Sequence, residues 1–388
     1  MENIWLISAL WIGLALAASL ISIRLVISVA LIEIIIGFVG GNLFHMEITP
    51  WINYLAAVGS VLLTFLAGAE IDPDVLRRHL RPSTVIGIIG FAFPFLGVLF
   101  FARYVLMWSW QQSEIAGLAL STTSVAVVYA VMVEMGFNRT EIGKIILAAC
   151  FINDLGTVIM LGVLFANYNI WLALFIGVMI PVLWVLPKFT PWFFRMVGSR
   201  ISEPEIKFIL LILFFLGGLS NMAKSEAVLP AYLVGMVLSP FFLKEKTLAT
   251  RIRVVTFAFL TPFFFIKAGS LIKFGTVISS IGIIAVYLGV KIITKFIGIL
   301  PATKGFRFST REAIYTTIMM CTGLTFGSIC ALFGLNNGII NQEQYTILVT
   351  AVVGSAVVPS IIAQKWFQPE WKPEERSNND VSQNTSRK

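Results

Sequence analysis

The chain has 388 residues, of which 58% are hydrophobic and only 12% charged, with a mean hydropathy of +0.90, outside the range of soluble globular domains. The formal charge is +8, and it reads as membrane topology and not as a nucleic-acid surface. The three cysteines, Cys150, Cys321 and Cys330, all fall inside apolar runs, so neither a disulfide framework nor a zinc site is suggested.

Apolar runs of bilayer-spanning length recur from end to end. About thirteen are expected, at residues 4–23, 25–44, 52–69, 83–107, 113–133, 144–166, 169–187, 207–223, 227–243, 254–272, 276–300, 311–334 and 344–367. Lipid leaves helices or closed barrels as the only options, and runs this long are helical. The expected fold class is an all-α polytopic membrane protein. The first run lacks a basic leader and a small-residue cleavage site, so it reads as a retained helix and not a signal peptide. The second carries Glu33 in an apolar setting, expected to be a structural charge bonded to a neighbouring helix.

The fifth run contains Ser121-Thr122-Thr123-Ser124. Such runs are where transporter helices unwind, exposing carbonyls and half-helix dipoles to an ion, although hydroxyls can also bond back to their own helix. The sixth, in CFINDLGTVIM (150–160), places Asn153-Asp154 where ionising a carboxylate is costly. The tenth carries Lys267 near its outer end. The eleventh carries Lys291, matched in depth to Asp154, and Lys295 a turn nearer the inner side, where its long stem could snorkel. The twelfth contains Thr322-Gly323-Leu324-Thr325, the counterpart of the run at 121–124. The tail after Trp366 is short and polar. It is too short for an appended nucleotide-binding domain, and no G-x-G-x-x-G occurs.

Two longer patterns organise these segments. LSTTSVAVVYAVMVEMGFN (120–138) leading into ILAACFINDLGTV parallels MCTGLTFGSICALFGLN (320–336) leading into ILVTAVVGSAVVP. An offset of seven helices inverts one unit relative to the other, a hallmark of secondary transporters. With the N-terminus outside and the C-terminus cytoplasmic, 22 of the 28 basic residues fall on the inner side, as the positive-inside rule requires.

Burial disfavours the charged form of a carboxylate and of an amine alike. A buried Asp can then exchange its proton for a small hard cation, with hydroxyl, carbonyl and amide oxygens completing the shell. The candidate ion- and proton-binding residues are Asp154, Asn153, Thr122, Thr123 and Ser124, with Thr322 and Thr325 from the second interrupted helix. The simpler alternative is a structural ion pair between Asp154 and Lys291.

The chain resembles the second monovalent cation:proton antiporter family, in particular NapA/GerN-type sodium/proton exchangers. EIIIGFVGGNLF (33–44), LLTFLAGAEID (62–72), ALSTTSVAVV (119–128), FINDLG (151–156), PFFFIKAG (262–269), YLGVK (287–291) and TREA (310–313) carry the resemblance by their order and spacing. The likeness implies an NhaA/NapA-like fold over 1–367, with inverted repeats and crossed broken helices. It also implies a mobile core built around 83–166 and 276–367, a dimerisation scaffold from the remainder, and a cytoplasmic tail at 368–388. Implied further are a homodimer in membrane lipid, elevator-type alternating access, transported Na+ (or K+ or Li+) and H+ with no cofactor, and Asp154 as the essential aspartate. Lys291 is implied as the charge-compensating base. Electrogenic members typically carry Asp-Asp where this chain has Asn153-Asp154, which leaves the stoichiometry open.

Other classes fit less well. A sodium-coupled symporter of a small organic anion would need a second sodium site and an open cavity. A non-transporting receptor role would be marked by the absence of ion flux. No TVGYG-like filter suggests a channel. The two histidines, His45 and His79, lie at loop edges, and no H-E-x-x-H motif or nucleophile elbow points to an enzyme.

Overall fold

With no water in the bilayer to satisfy backbone N–H and C=O groups, each apolar run must bond to itself, and all regular structure among the described residues is helical. The computed structural model describes residues 4–25, 28–44, 46, 48–71, 78–134, 137, 140–165, 170–197, 200, 202–223, 227–367 and 369. The polar tail beyond 369 lies outside the described residues, as do Gly136 and Asn138 of the repeat signature.

The chain opens with α1 (Ile4–Leu25), α2 (Val29–Leu43) and α3 (Pro50–Ala69). Next comes α4 (Leu80–Phe100), which runs into a π-helical turn at Phe101–Val105. The fifth expected span is two half-helices, α5 (Trp110–Ser121) and α6 (Val125–Glu134). Then follow α7 (Glu141–Leu164), α8 (Ile170–Val197), α9 (Pro204–Met222) and α10 (Val228–Lys244). The tenth span joins α11 (Lys246–Val255) through a π-helical turn at Thr256–Leu260 to α12 (Thr261–Ser270). A short α13 (Phe274–Ser279) precedes α14 (Ile281–Gly305). The twelfth span is again broken, into α15 (Thr310–Met320) and α16 (Thr325–Asn336), before α17 (Gln342–Trp366) closes the chain.

Among the described residues, ten helical stretches are long and apolar enough to cross a membrane. Two of the expected spans form helices of only 15 and 17 residues, α2 and α10, short of the roughly 20 that an upright crossing needs. Each lies tight against a longer stretch. A Cβ added at Gly37 of α2 would fall on the Ile266 carbonyl of α12, and one at Gly269 on the Ile34 carbonyl. The same geometry joins α10 to α3, where Gly235 meets the Phe65 carbonyl and Gly68 the Tyr232 carbonyl. Small residues let backbones approach closely where lipid supplies no hydrophobic drive.

These two seams are mates in an inverted repeat, and the helix caps repeat as well. Ser109 and Gln112 form a capping box before α5, as Ser309 and Glu312 do before α15. Thr140 caps α7 and Asn341 caps α17. Caps satisfy N–H groups that a helix start leaves unpaired, so each fixes where its helix begins. The protein is an all-α, multi-pass membrane protein with crossed, interrupted helices.

Candidate functional site

The two breaks meet at the centre of the bundle. The Ser124 amide donates to the Thr322 carbonyl at 2.8 Å, and Thr123 Oγ1 donates to the Met320 carbonyl at 2.8 Å. Ser121, Thr122, Thr123, Ser124 and Thr322 are all buried. Each break leaves carbonyls at the C-terminal end of one half-helix and N–H groups at the start of the next, which concentrates partial charge at the crossing.

Asn153 ties the first break from the side. Its Oδ1 accepts from the Thr123 amide at 3.1 Å, and its Nδ2 donates to the Ser121 carbonyl at 3.3 Å. An amide can do both, whereas an ionised carboxylate could not donate to Ser121. Asn153 therefore ties the backbone of the break through both of its amide atoms. Thr122 Oγ1 donates back to the Ala119 carbonyl at 3.2 Å and Thr322 Oγ1 to the Met319 carbonyl at 2.8 Å. Ser124 Oγ accepts from the Val127 amide at 3.4 Å, and Thr325 is the first residue of α16.

Asp154, the next residue of α7, is 2% exposed, and its Oδ1 has no hydrogen-bond partner. No ion pair joins it to Lys295 among the described residues. One expectation is corrected. Lys295 does not snorkel: it is 0% exposed, and its ammonium donates to Thr123 Oγ1 at 2.7 Å, to the Thr122 carbonyl at 3.3 Å and to the Met320 carbonyl. Three donors meet three oxygens, two of them carbonyls from the ends of α5 and α15, where a cation is favoured. Lys291 is turned to α17. Its Nζ donates to Ser355 Oγ of α17 at 2.9 Å, and no ion pair joins it to Asp154 among the described residues. Equal depth along two helices does not fix which way a side chain faces.

Lys267, expected near an outer end, is also buried, at 5% exposure. Glu33 is 1% exposed, and its Oε2 has no hydrogen-bond partner among the described residues. Two contributors gave no signal in the sequence. Tyr232 of α10 reaches across to α7, its hydroxyl donating to the Phe151 carbonyl at 3.0 Å, one turn before Asp154. Ser355 links Lys291 to the second break, its Oγ lying 3.3 Å from the Gly323 carbonyl. A lone tyrosine or serine in an apolar run is ordinary, and only the repeat relation would have singled out Ser355.

A broken-helix crossing beside a buried aspartate with one unpartnered oxygen invites comparison with known proteins. The family model described as sodium/hydrogen exchanger, transmembrane, matches residues 10–368. This chain belongs to that sodium/hydrogen exchanger family. Among curated members, it is 27% identical over 361 residues to the probable Na+/H+ antiporter GerT of Bacillus cereus, covering 89% of this chain and 95% of that one. It is 23% identical over 362 residues to the probable Na+/H+ antiporter 3 of Methanocaldococcus jannaschii, covering 89% and 91%. The solved structure of the sodium proton antiporter MjNhaP1 from the same archaeon superposes with a TM-score of 0.69 at 15% identity, over 93% of this chain and 98% of that one. The last comparison establishes the shared fold. Membership makes this a cation/proton antiporter family protein of the membrane, and its relatives are named as transporters and not as enzymes.

Proposed function

We propose that this protein is a secondary active antiporter exchanging a monovalent cation, Na+ foremost with Li+ or K+ as variants, for H+, the two competing for Asp154. The observation that carries the reading is the Asp154 carboxyl group, buried at 2% exposure with Oδ1 unpartnered beside the crossed breaks. An ionised carboxylate left unpaired there costs several kcal/mol. It is relieved in two ways, by a proton or by a cation, and both loaded forms leave the Asp154 position neutral. A carrier that crosses only with this position neutral must swap one for the other, and that coupling is antiport.

Lys295 supplies the fixed positive charge. With three oxygens of the breaks as acceptors, it compensates the half-helix ends and leaves Asp154 Oδ1 to the substrate ion. Thr122, Thr123 and Ser124, with Thr322 and Thr325, bring further oxygens to the crossing. Alternating access is assigned to an elevator motion of the crossing bundle against a scaffold seamed by α2–α12 and α3–α10. A homodimer in the cell membrane, N-terminus outside and C-terminus cytoplasmic, completes the reading.

The test uses proteoliposomes loaded with a pH dye. Adding Na+ or K+ drives proton movement through wild type, and Asp154→Asn, which cannot titrate, loses it while remaining monodisperse. Substantial exchange by well-folded Asp154→Asn protein overturns the assignment.

A further inference from the structure

The repeat extends through the ion-site elements with an offset of 200 or 201 residues. The caps at Ser109 and Thr140 match those at Ser309 and Asn341. The approach of Gly97 in α4 to Thr294 in α14 matches that of Gly298 to Phe93. Carried onto the crossing, the same relation pairs Asp154 with Ser355. It also pairs Gly90, whose added Cβ would lie 3.6 Å from Asn153 Nδ2, with Lys291.

The two halves therefore have opposite charge logic. In the first, a carboxylate stands without a fixed cation from α4, because position 90 carries no side chain. In the second, a hydroxyl stands where the carboxylate would be, and α14 supplies a fixed ammonium at the position of that glycine. Lys291 is 0% exposed and its Nζ donates to Ser355 Oγ at 2.9 Å. Ser355 Oγ in turn lies 3.3 Å from the Gly323 carbonyl. A Cβ added at Gly323 would run into Lys291 Nζ and come within 3.0 Å of both the carbonyl oxygen and Oγ1 of Thr122. Hydroxyl and carbonyl oxygens are the donor set that hard monovalent cations take. An ammonium carries the same charge and bonds the same atoms.

We propose that Lys291 is a tethered cation occupying the second repeat's half-site, and that removing its amine uncovers a second binding site for a small monovalent cation. The site is formed by Ser355 Oγ and the Gly323 carbonyl, with the Thr122 oxygens at its edge. The inference rests on the Asp154 reading above. It explains how a fold with two related half-sites carries one exchangeable cation. Replacing a fixed positive charge by a bound one leaves the net charge of the core unchanged, so no new carboxylate is required.

The experiment is thermal unfolding of purified protein in choline chloride against NaCl, LiCl and KCl at constant ionic strength. Asp154→Asn has lost the first site, and its melting temperature is expected to be indifferent to the cation. Asp154→Asn/Lys291→Ala is expected to regain a cation-dependent rise of several degrees, since a ligand bound only by the folded state raises stability with its concentration. Indifference of both variants overturns the inference and leaves the Asp154 reading standing. A cation-dependent shift already present in Asp154→Asn overturns the Asp154 reading, and this inference with it. If the double variant does not fold, Lys291→Ala alone is examined by equilibrium dialysis with radioactive Na+. Two ions per protomer support the second site, and one ion overturns it.

Discussion

Lys291 and Lys295 lie one turn apart on α14, about 6 Å along the axis, and meet opposite surroundings. Among the described residues, Lys295 has three oxygen acceptors and Lys291 has one. An unmet buried acceptor costs on the order of 1–3 kcal/mol, so truncating the two amines has unequal consequences. Lys295→Met removes the charged donor from the Thr122 carbonyl, and from the Met320 carbonyl and Thr123 Oγ1, which keep their mutual bond; it is expected to lower the melting temperature strongly, at a cost of about 3 kcal/mol. Lys291→Met frees only Ser355 Oγ, which keeps its bond to the Val352 carbonyl at 2.7 Å, and costs about 1 kcal/mol. Thermal unfolding in detergent compares them directly, and equal losses would contradict the assignment of Lys295 to the breaks. Asn153 shows the same dependence on surroundings. Its two amide atoms bond Thr123 and Ser121, contacts that its place beside Asp154 in the sequence does not reveal.

Among the helices, the scaffold depends on contact between backbones. Gly235 faces the Phe65 carbonyl and Gly37 the Ile266 carbonyl so closely that a single methyl group would overlap either oxygen. The neighbouring helix would have to shift, because a carbonyl in an intact helix cannot turn aside. Gly235→Ala and Gly37→Ala are each expected to destabilise by about 1–3 kcal/mol, read as a fall in the monodisperse fraction after heating. Gly289→Ala of α14, with open space around the added carbon, is the control. It is expected to be neutral or mildly stabilising, since Ala favours helix over Gly by about 1 kcal/mol. A similar loss in all three variants would mean that the seams are not the constraint. The paired seams also hold the two short helices, α2 and α10. Each is held by a longer partner across a close contact and does not depend on its own length to stay in place.

For the whole molecule, the distribution of basic residues gives an orientation that is tested without reference to transport. Met107, in the loop before α5, is 75% exposed, and Arg307, in the loop before α15, is also exposed. The three native cysteines are buried, so single introduced cysteines report cleanly. Met107→Cys is expected to react with a membrane-impermeant maleimide on intact cells, and Arg307→Cys only after permeabilisation. The reverse pattern would invert the topology and exchange the inner and outer faces of the crossing.

The sequence by itself determined the features that one chain segment can carry. Long apolar runs dictate helices, because lipid offers no other partner for the backbone. The polar runs at 121–124 and 322–325 mark where those helices fail, and the breaks fall there. Asp154 stood out because an acid in the middle of an apolar run is costly wherever its helix lies. Tertiary structure decided everything that depends on facing. Residue number gives depth along a helix, but each residue turns the side chain by about 100°, and packing against α4 and α17 sets the phase of α14. That phase places Lys295 on the half-helix ends and turns Lys291 to Ser355. The partners of the Asn153 amide and the Tyr232 hydroxyl, and the Lys291 that meets Ser355, come from other elements, and no local pattern in the sequence records a contact made across the bundle.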